Sequence, residues 1–177
     1  MPSIQRIEEF QISEERHTQI NTLLNSTFGD YYPEHSYFKQ LPTFRYLVWK
    51  EEQLIGHMAI EHRNINIAGK LANIFGVVDL CVVNDFQSKN IASTLLQNLE
   101  SLGITHHIDF LVLIAQNHEV YEKNGFELVT NTCRWLMING NQTLGVAHRR
   151  IDECLMVKAI GNKDWKPGIV DFLGHLF

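Results

Sequence analysis

Residues Val77 to Leu96 read VVDLCVVNDFQSKNIASTLL and combine an apolar run of strand type, a short polar turn and an amphipathic helix. The turn covers Asn84 to Asn90, and apolar residues recur at helical spacing from Ile91 onward. A strand–turn–helix unit directs several backbone N–H groups, and the positive end of the helix dipole, at one point beyond the strand. The stretch therefore predicts a binding place for an anionic ligand such as a pyrophosphate.

The segments before this stretch predict an antiparallel meander. Three apolar segments of strand type begin at Phe44 and are separated by polar turns at 51–53 and 68–70. Tight turns between consecutive strands make neighbouring strands antiparallel, and the last of the three strands leads into the quoted stretch.

The segments after this stretch alternate helix and strand. The helix from Ile91 to Leu102 precedes a strand from Phe110 to Ala115, and a crossover of this length makes the strands on either side of it parallel. A short helix over 116–124, ended by Gly125, then leads to a strand of sequence FELV, and residues 133–159 predict two more strands around a turn at 139–142. The predicted fold class is α/β with a mixed, mostly antiparallel central sheet flanked by helices.

Both ends of the chain also carry structural signals. A strand over Ile4 to Phe10 precedes a helix that Ser13 caps and that ends near Gly29. Residues 30–42 are rich in aromatic residues and contain two prolines, so we expect a loop with one short helix that forms a wall of a binding cleft. The apolar run over 163–177 is expected to dock onto its own core or to form an interface with a second copy.

Composition limits the possible functions. The 177 residues predict one domain over 1–177, and 15 basic against 20 acidic residues argue against nucleic acid or an anionic membrane as partner. The cysteines Cys81, Cys133 and Cys154 each lie in apolar stretches and predict core residues in a reducing compartment. No signal peptide is recognisable, and no apolar run approaches the ~18 residues of a membrane span. We therefore expect a cytoplasmic protein with a neutral or cationic small-molecule partner.

Two motifs separated by one strand carry a family resemblance. Their residues are Gln87, Asn90 and Ala92 in DFQSKNIAS, and Tyr121, Gly125 and Phe126 in VYEKNGFELV. They resemble the Arg/Gln-x-x-Gly-x-Gly/Ala loop and the later Tyr-x-x-x-Gly-Phe segment of the GNAT superfamily of acetyl-coenzyme A-dependent N-acetyltransferases. The resemblance covers roughly Phe44 to Val129 and implies a GNAT-like sheet whose parallel strand pair splays apart after Val83. The segment HRNINIAGKLANIFGVVDLCVV is also loosely similar to aminoglycoside acetyltransferases.

The resemblance implies that acetyl-CoA binds as co-substrate, with its pyrophosphate cradled by backbone N–H groups. The implied residues are Gln87, Ser88, Lys89, Asn90, Ile91, Ala92 and Ser93. Lys89 is expected to add an ion pair with a phosphate. Asn90 replaces a family glycine, and because asparagine tolerates positive φ better than other residue types, we expect binding to be weakened or reshaped and not lost. The alternative is an ordinary polar turn of an α/β protein.

Further contacts are implied for the pantetheine arm. The backbone of Leu80, Cys81 and Val82 would pair with it as another strand would, because a splayed sheet leaves backbone groups without protein partners. Asn117, at the start of the next helix, would also contact it. The alternative for Asn117 is a helix cap.

Tyr121 is the candidate general acid. When an amine attacks a thioester, the leaving thiolate needs a proton or a hydrogen bond, and a phenol near the sulfur supplies either. The alternative is an aromatic side chain that only packs under the short helix.

Asp79 is the candidate general base. An attacking ammonium must first lose a proton, and Asp79 is an acid in an apolar strand, where desolvation raises the pKa of a carboxyl group. Two alternatives remain open. In the first, the Asp79 carboxylate is hydrogen-bonded by backbone groups or paired with an arginine such as Arg63 or Arg134. In the second, the ammonium loses its proton to a water molecule held by Glu61 or His57.

No metal site is expected. In a strand, His57 and Glu61 lie on one face and His62 on the other, so three ligands cannot converge.

The predicted function is transfer of an acetyl group from acetyl-CoA to a primary amine of a small cationic acceptor, by direct attack in a ternary complex. Two other hypotheses stay open: a non-catalytic acyl-CoA sensor, and an acyltransferase that uses a longer acyl donor or a protein amine. A homodimer is a further possibility.

Overall fold

The structure is a computed structural model that describes residues 2–29 and 33–177. The chain divides into two compact units. Unit 1 contains Met1–Glu61 and Val78–Leu96, and unit 2 contains His62–Val77 and Gln97–Phe177. Two strands and one helix run through both units, and the single domain over 1–177 stays a prediction.

Unit 1 is built on three antiparallel strands and a helix. Strand β1 (Ser3–Glu8) pairs with β2 (Phe44–Lys50), and β2 pairs with the first part of β3 (Gln53–Ile67). Helix α1 (Glu14–Phe28) begins after Ser13, whose side chain accepts a hydrogen bond from the Arg16 N–H, and it ends at Gly29 with φ of 73°. Both ends match the sequence prediction, since serine satisfies an unpaired N–H and glycine allows a positive φ.

An apolar cluster packs α1 against the strands of unit 1. The buried face of α1 presents Ile20, Leu23 and Leu24 at helical spacing. These three side chains pack with Leu47 of β2 and Cys81 of strand β4 (Lys70–Val82), among others.

The aromatic segment after α1 is described only in part. Residues 30–32 lie outside the described part of the chain. Pro33 to Pro42 form bends, and the predicted short helix is not present among them.

Unit 2 contains the remaining elements. They are α2 (Ile91–Thr105) from Gln97 onward, β5 (Phe110–Ile114), α3 (Glu119–Glu122), β6 (Glu127–Leu128), β7 (Asn131–Asn139), β8 (Gln142–Ile151), β9 (Leu155–Ala159) and β10 (Ile169–His175). The strand order is β6-β9-β5-β4-β3-β10-β7-β8. The parallel pair that the crossover predicts is present, with Ile74–Gly76 of β4 beside Phe110–Val112 of β5. The α/β class with a mixed, mostly antiparallel sheet is therefore confirmed.

Two predictions for the C-terminal third need correction or refinement. Residues 131–159 form three strands where two were predicted, because the chain bends at Glu153 and Cys154 and then continues as β9. The C-terminal run docks onto its own core as β10, which lies antiparallel to β3 and parallel to β7. Its side chains Val170 and Phe172 are fully buried.

Candidate functional site

The polar turn between β4 and α2 contains two residues in the left-handed region of backbone conformation. Ser88 and Asn90 have φ of 59° and 65°, in the region that glycine adopts most easily. The Asn90 carbonyl accepts the N–H of Thr94 at 3.0 Å, which places Asn90 directly before the helix. The N–H groups that follow, starting with Ile91 and Ala92, have no carbonyl partner within the helix. Asn90 thus adopts the positive φ that a glycine would supply.

The Gln87 side chain serves the turn itself. Its Nε2 donates to the Val82 carbonyl at 3.1 Å and to Asn84 Oδ1 at 3.0 Å. These bonds tie the turn to the end of β4. The Gln87 N–H also donates to the Asn84 carbonyl at 3.1 Å, so the Gln87 amide that was predicted to contact the pyrophosphate is engaged within the turn.

Two lysines add positive charge to the turn. The ammonium groups of Lys50 and Lys89 lie 5.0 and 4.8 Å from the centre of the Phe86 ring, and Lys89 Nζ also donates to the Asp85 carbonyl at 2.8 Å. Cation–π contacts hold the two charges beside the loop. Sequence reasoning named Lys89 and missed Lys50, because Lys50 lies at the end of β2, 39 positions away in the chain from Lys89. The donor set suits the phosphates of a nucleotide-like cofactor.

Strand β4 changes conformation at Asp79. Asp79 has φ of 50°, which no regular strand residue adopts, and its backbone carbonyl accepts a hydrogen bond from Nδ1 of His57 at 2.9 Å. Leu80 is partly buried, and Cys81 and Val82 are buried. Burial raises the pKa of the Cys81 thiol to about 12, so Cys81 is a packing residue and not a nucleophile.

A buried charged cluster lies behind Asp79. Arg45 is fully buried, and its guanidinium makes a two-point contact with Glu9, from Nε to Oε2 at 2.6 Å and from Nη2 to Oε1 at 2.8 Å. The guanidinium also donates from Nη1 to the Ser36 carbonyl at 2.7 Å and contacts His57 Nε2 at 3.0 Å. A buried cation is stable only when its N–H groups find acceptors, and this one has at least three.

The cluster determines the state of His57. Burial first, and the Arg45 charge second, lower the pKa of His57 to about 3, so the ring is neutral at pH 7. Because a guanidinium only donates, Nε2 must be the acceptor and Nδ1 must carry the hydrogen. With both nitrogens engaged, His57 does not suit the water-relay role that the sequence left open.

The two arginines suggested as partners for Asp79 also contact other groups. Arg134 forms an ion pair with Asp171 at 3.3 Å, and Arg63 donates to the His175 carbonyl. His57 and Glu61 are buried and His62 is exposed, as strand alternation predicts. Within the described residues, no three His, Cys, Asp or Glu side chains are grouped as metal ligands would be.

The other two candidate residues lie in unit 2. Asn117 is exposed, and its Oδ1 accepts the N–H of Glu119 at 3.2 Å, which is the capping role left open as an alternative. Tyr121 is partly buried in α3 and meets Phe126 edge-on at 5.8 Å between ring centres. The structure thus groups Asp79 to Val82 and the turn in unit 1, and Asn117 and Tyr121 in unit 2.

No helix in the described ranges has both the length and the hydropathy to cross a membrane.

Solved structures of N-acetyltransferases share this fold. The GNAT family N-acetyltransferase YhbS of Escherichia coli, solved in complex with CoA, aligns over 96% of this chain and 88% of its own, with a TM-score of 0.64 and 15% identity. ElaA of E. coli aligns over 89% and 99%, with a TM-score of 0.63 and 16% identity. The ribosomal-protein-S18-alanine N-acetyltransferase of E. coli aligns over 93% and 97%, with a TM-score of 0.55 and 12% identity. The chain therefore shares its fold with these three proteins.

The family itself follows from the sequence. A family model described as an acetyltransferase (GNAT) domain matches residues 10–129 of the 177. The chain belongs to the GNAT acetyltransferase family. No curated protein matches the sequence significantly.

Proposed function

We propose that this protein transfers an acetyl group from acetyl-CoA to a primary amine of a small, cationic acceptor, by direct attack within a ternary complex. The observation that carries the proposal is the conformation of β4 and its turn. In a chain of this family, β4 has an irregular backbone at Asp79 and leads into a turn in which Asn90 adopts a positive φ of the kind that glycine adopts most easily. The net charge of −5 supports a cationic acceptor.

The cofactor would be held mainly by backbone. N–H groups over 88–93 would bind the pyrophosphate, helped by the Lys89 ammonium, and Leu80 to Val82 would pair with the pantetheine. Asn117 would contribute its Nδ2 amide, because capping occupies only Oδ1. When bound, acetyl-CoA supplies the acetyl group as a thioester.

Two side chains would move protons. The Asp79 carboxylate would take the proton from the acceptor's ammonium, so that the nitrogen lone pair can bond to the acetyl carbon. The Tyr121 hydroxyl would give its proton to the sulfur as the carbon–sulfur bond breaks. Both assignments rest on the family resemblance.

Binding and turnover test the proposal separately. Calorimetry should show that acetyl-CoA and coenzyme A bind with similar affinity. Thiol release should then appear with one or more members of a panel of polyamines and amino sugars. Absence of binding would contradict the whole proposal, and binding without thiol release would favour a sensor. A panel of acyl donors of increasing chain length tests the preference for acetyl.

Two substitutions test the assigned residues. Tyr121→Phe and Asp79→Asn should each lower kcat by about 100-fold or more while the affinity for coenzyme A changes little, since general acids and bases contribute that much. Phe126→Leu is the matched control for Tyr121→Phe, because it removes the ring contact of Tyr121 without touching the hydroxyl. If kcat is unchanged in Tyr121→Phe, Tyr121 is not the general acid and its side chain only packs under the short helix.

A further inference from the structure

We propose that His57 is a positioning residue for the acyl transfer, holding the Asp79 backbone through its carbonyl in the conformation that the reaction needs. This inference rests on the proposed function, because Asp79 is the proposed base. It assigns to His57 a role distinct from proton transfer, since the His57 ring donates to the main-chain carbonyl of Asp79.

The first support is the placement of His57. The side chain is fully buried in β3, and each ring nitrogen has one close polar neighbour, Arg45 at 3.0 Å on Nε2 and the Asp79 carbonyl at 2.9 Å on Nδ1. Because Arg45 can only donate, only the tautomer with hydrogen on Nδ1 satisfies both contacts. His57 is thus held as a donor aimed at a single carbonyl.

The second support is the backbone of Asp79. A φ of 50° lies in the left-handed region, which aspartate adopts more readily than most residues with a Cβ, and inside a strand such a conformation persists where surrounding structure holds it. The hydrogen bond from His57 to the Asp79 carbonyl is a contact that can hold the Asp79 backbone in this conformation. Strained backbone of this kind is concentrated at functional sites, which agrees with the role proposed for Asp79.

The third support is what else the Arg45 guanidinium holds. Its bond to the Ser36 carbonyl fixes the aromatic segment that the sequence predicts as a cleft wall, and Ser36 Oγ also contacts His17 Nδ1 of α1 at 2.7 Å. Glu9 fixes the other side of the guanidinium. One buried cation therefore sets the orientation of His57 and the position of that segment together.

Two substitutions at His57 separate positioning from packing. An asparagine side chain places its NH₂ group near the position of Nδ1 and keeps the donor to Asp79, whereas glutamine places its carbonyl near the position of Nε2 and keeps only the acceptor for Arg45. We expect His57→Gln to lower kcat by about 10- to 100-fold, the scale of a small misplacement of a reacting group, with the affinity for acetyl-CoA within about twofold of wild type. We expect His57→Asn to retain kcat within about fivefold. His62→Gln, an exposed histidine of the same strand, is the control and should match wild type.

The kcat values of the two His57 variants decide the inference. Equal losses of kcat in both His57 variants, or no loss in His57→Gln, would overturn the inference. If neither variant folds, nitrogen-15 spectra of the wild-type histidine rings decide: the inference requires hydrogen on Nδ1 and no titration between pH 5 and 8, and the opposite tautomer overturns it. If wild type acetylates no amine, the proposed function fails. The inference is then still tested by the Asp79 backbone chemical shifts, which should move in His57→Gln and not in His57→Asn.

Discussion

Two parts of unit 1 adopt unusual backbone conformations, and they are supported in different ways. Asp79 is held by a hydrogen bond from a fully buried histidine that itself contacts a fully buried arginine. The turn at Asn84–Asn90 is held by its own backbone and by side chains that are mostly exposed. Buried charges are costly to disturb, whereas exposed ones are screened by water and salt. We therefore expect changes behind Asp79 to affect stability and turnover, and changes in the turn to affect cofactor affinity.

The largest expected effect is on stability. Arg45→Met should lower the free energy of unfolding by about 3–5 kcal/mol, because it leaves the Glu9 carboxylate buried without its partner. Urea unfolding measures the change. Arg150→Met removes an exposed ion pair with Asp152 and should stay within about 0.5 kcal/mol of wild type. A loss below about 1 kcal/mol in Arg45→Met would remove the contrast between the two regions.

The second prediction concerns pH. The pKa of His57 is lowered to about 3 in the folded protein, against an ordinary value of 6.5, so between these values the unfolded chain binds more protons. The contribution of His57 to stability is therefore complete above pH 6.5 and declines as pH falls toward 3. Unfolding at pH 7 and at pH 5 should show that wild type loses about 2 kcal/mol more than His57→Asn does. Equal losses would mean that His57 titrates normally.

The third prediction sharpens the turn side of the comparison. The double variant Lys50→Gln, Lys89→Gln should bind coenzyme A about tenfold more weakly at low salt, because each exposed ion pair between a lysine and a phosphate contributes about 0.2–1 kcal/mol to binding. The free energy of unfolding should stay unchanged. The difference from wild type should shrink at 0.5 M salt, where the screening length is short. Lys70→Gln, at the exposed first residue of β4, serves as the control. A salt-independent loss would point to altered loop structure.

The smallest expected effect is at Asn90. Asn90→Gly should tighten acetyl-CoA binding by about two- to fivefold, because glycine adopts φ of 65° without strain and lets the phosphates approach closely. Ser88→Gly relieves the same kind of strain two residues earlier and should leave affinity near wild type. Weaker binding in Asn90→Gly would show that the loop has been assigned to the wrong place.

Local signals account for most of the predicted fold. Ser13 and Gly29 delimit α1, the turns at 51–53 and 68–70 delimit the meander, and the crossover from β4 through α2 makes β5 parallel to β4. The position of β10 was not predictable in this way. Val170 pairs with Ile67 and with Cys133, and no local pattern identifies partners so far away in the sequence.

The residues of the candidate site also differ in whether local sequence signals predict them. The turn and Asp79 could be found because their residues are consecutive, and asparagine at position 90 was compatible with the φ that it adopts. The cluster behind Asp79 was missed because Glu9, Arg45 and His57 come from three segments. One signal was present: Arg45 stands in the apolar strand FRYLVWK, where a charge requires a buried acid.

The insertion of β10 between β3 and β7 affects how the chain folds during synthesis. Val170 of β10 pairs with Ile67, so more than half of the described chain is made before this contact can form. Until Val170 and Phe172 arrive, the core of unit 2 lacks two of its buried side chains, and β3 and β7 each present an unpaired edge. At that stage the unpaired strand edges of the nascent chain can associate with other chains. Unit 2 is therefore protected from aggregation only after residues 169–175 have emerged from the ribosome.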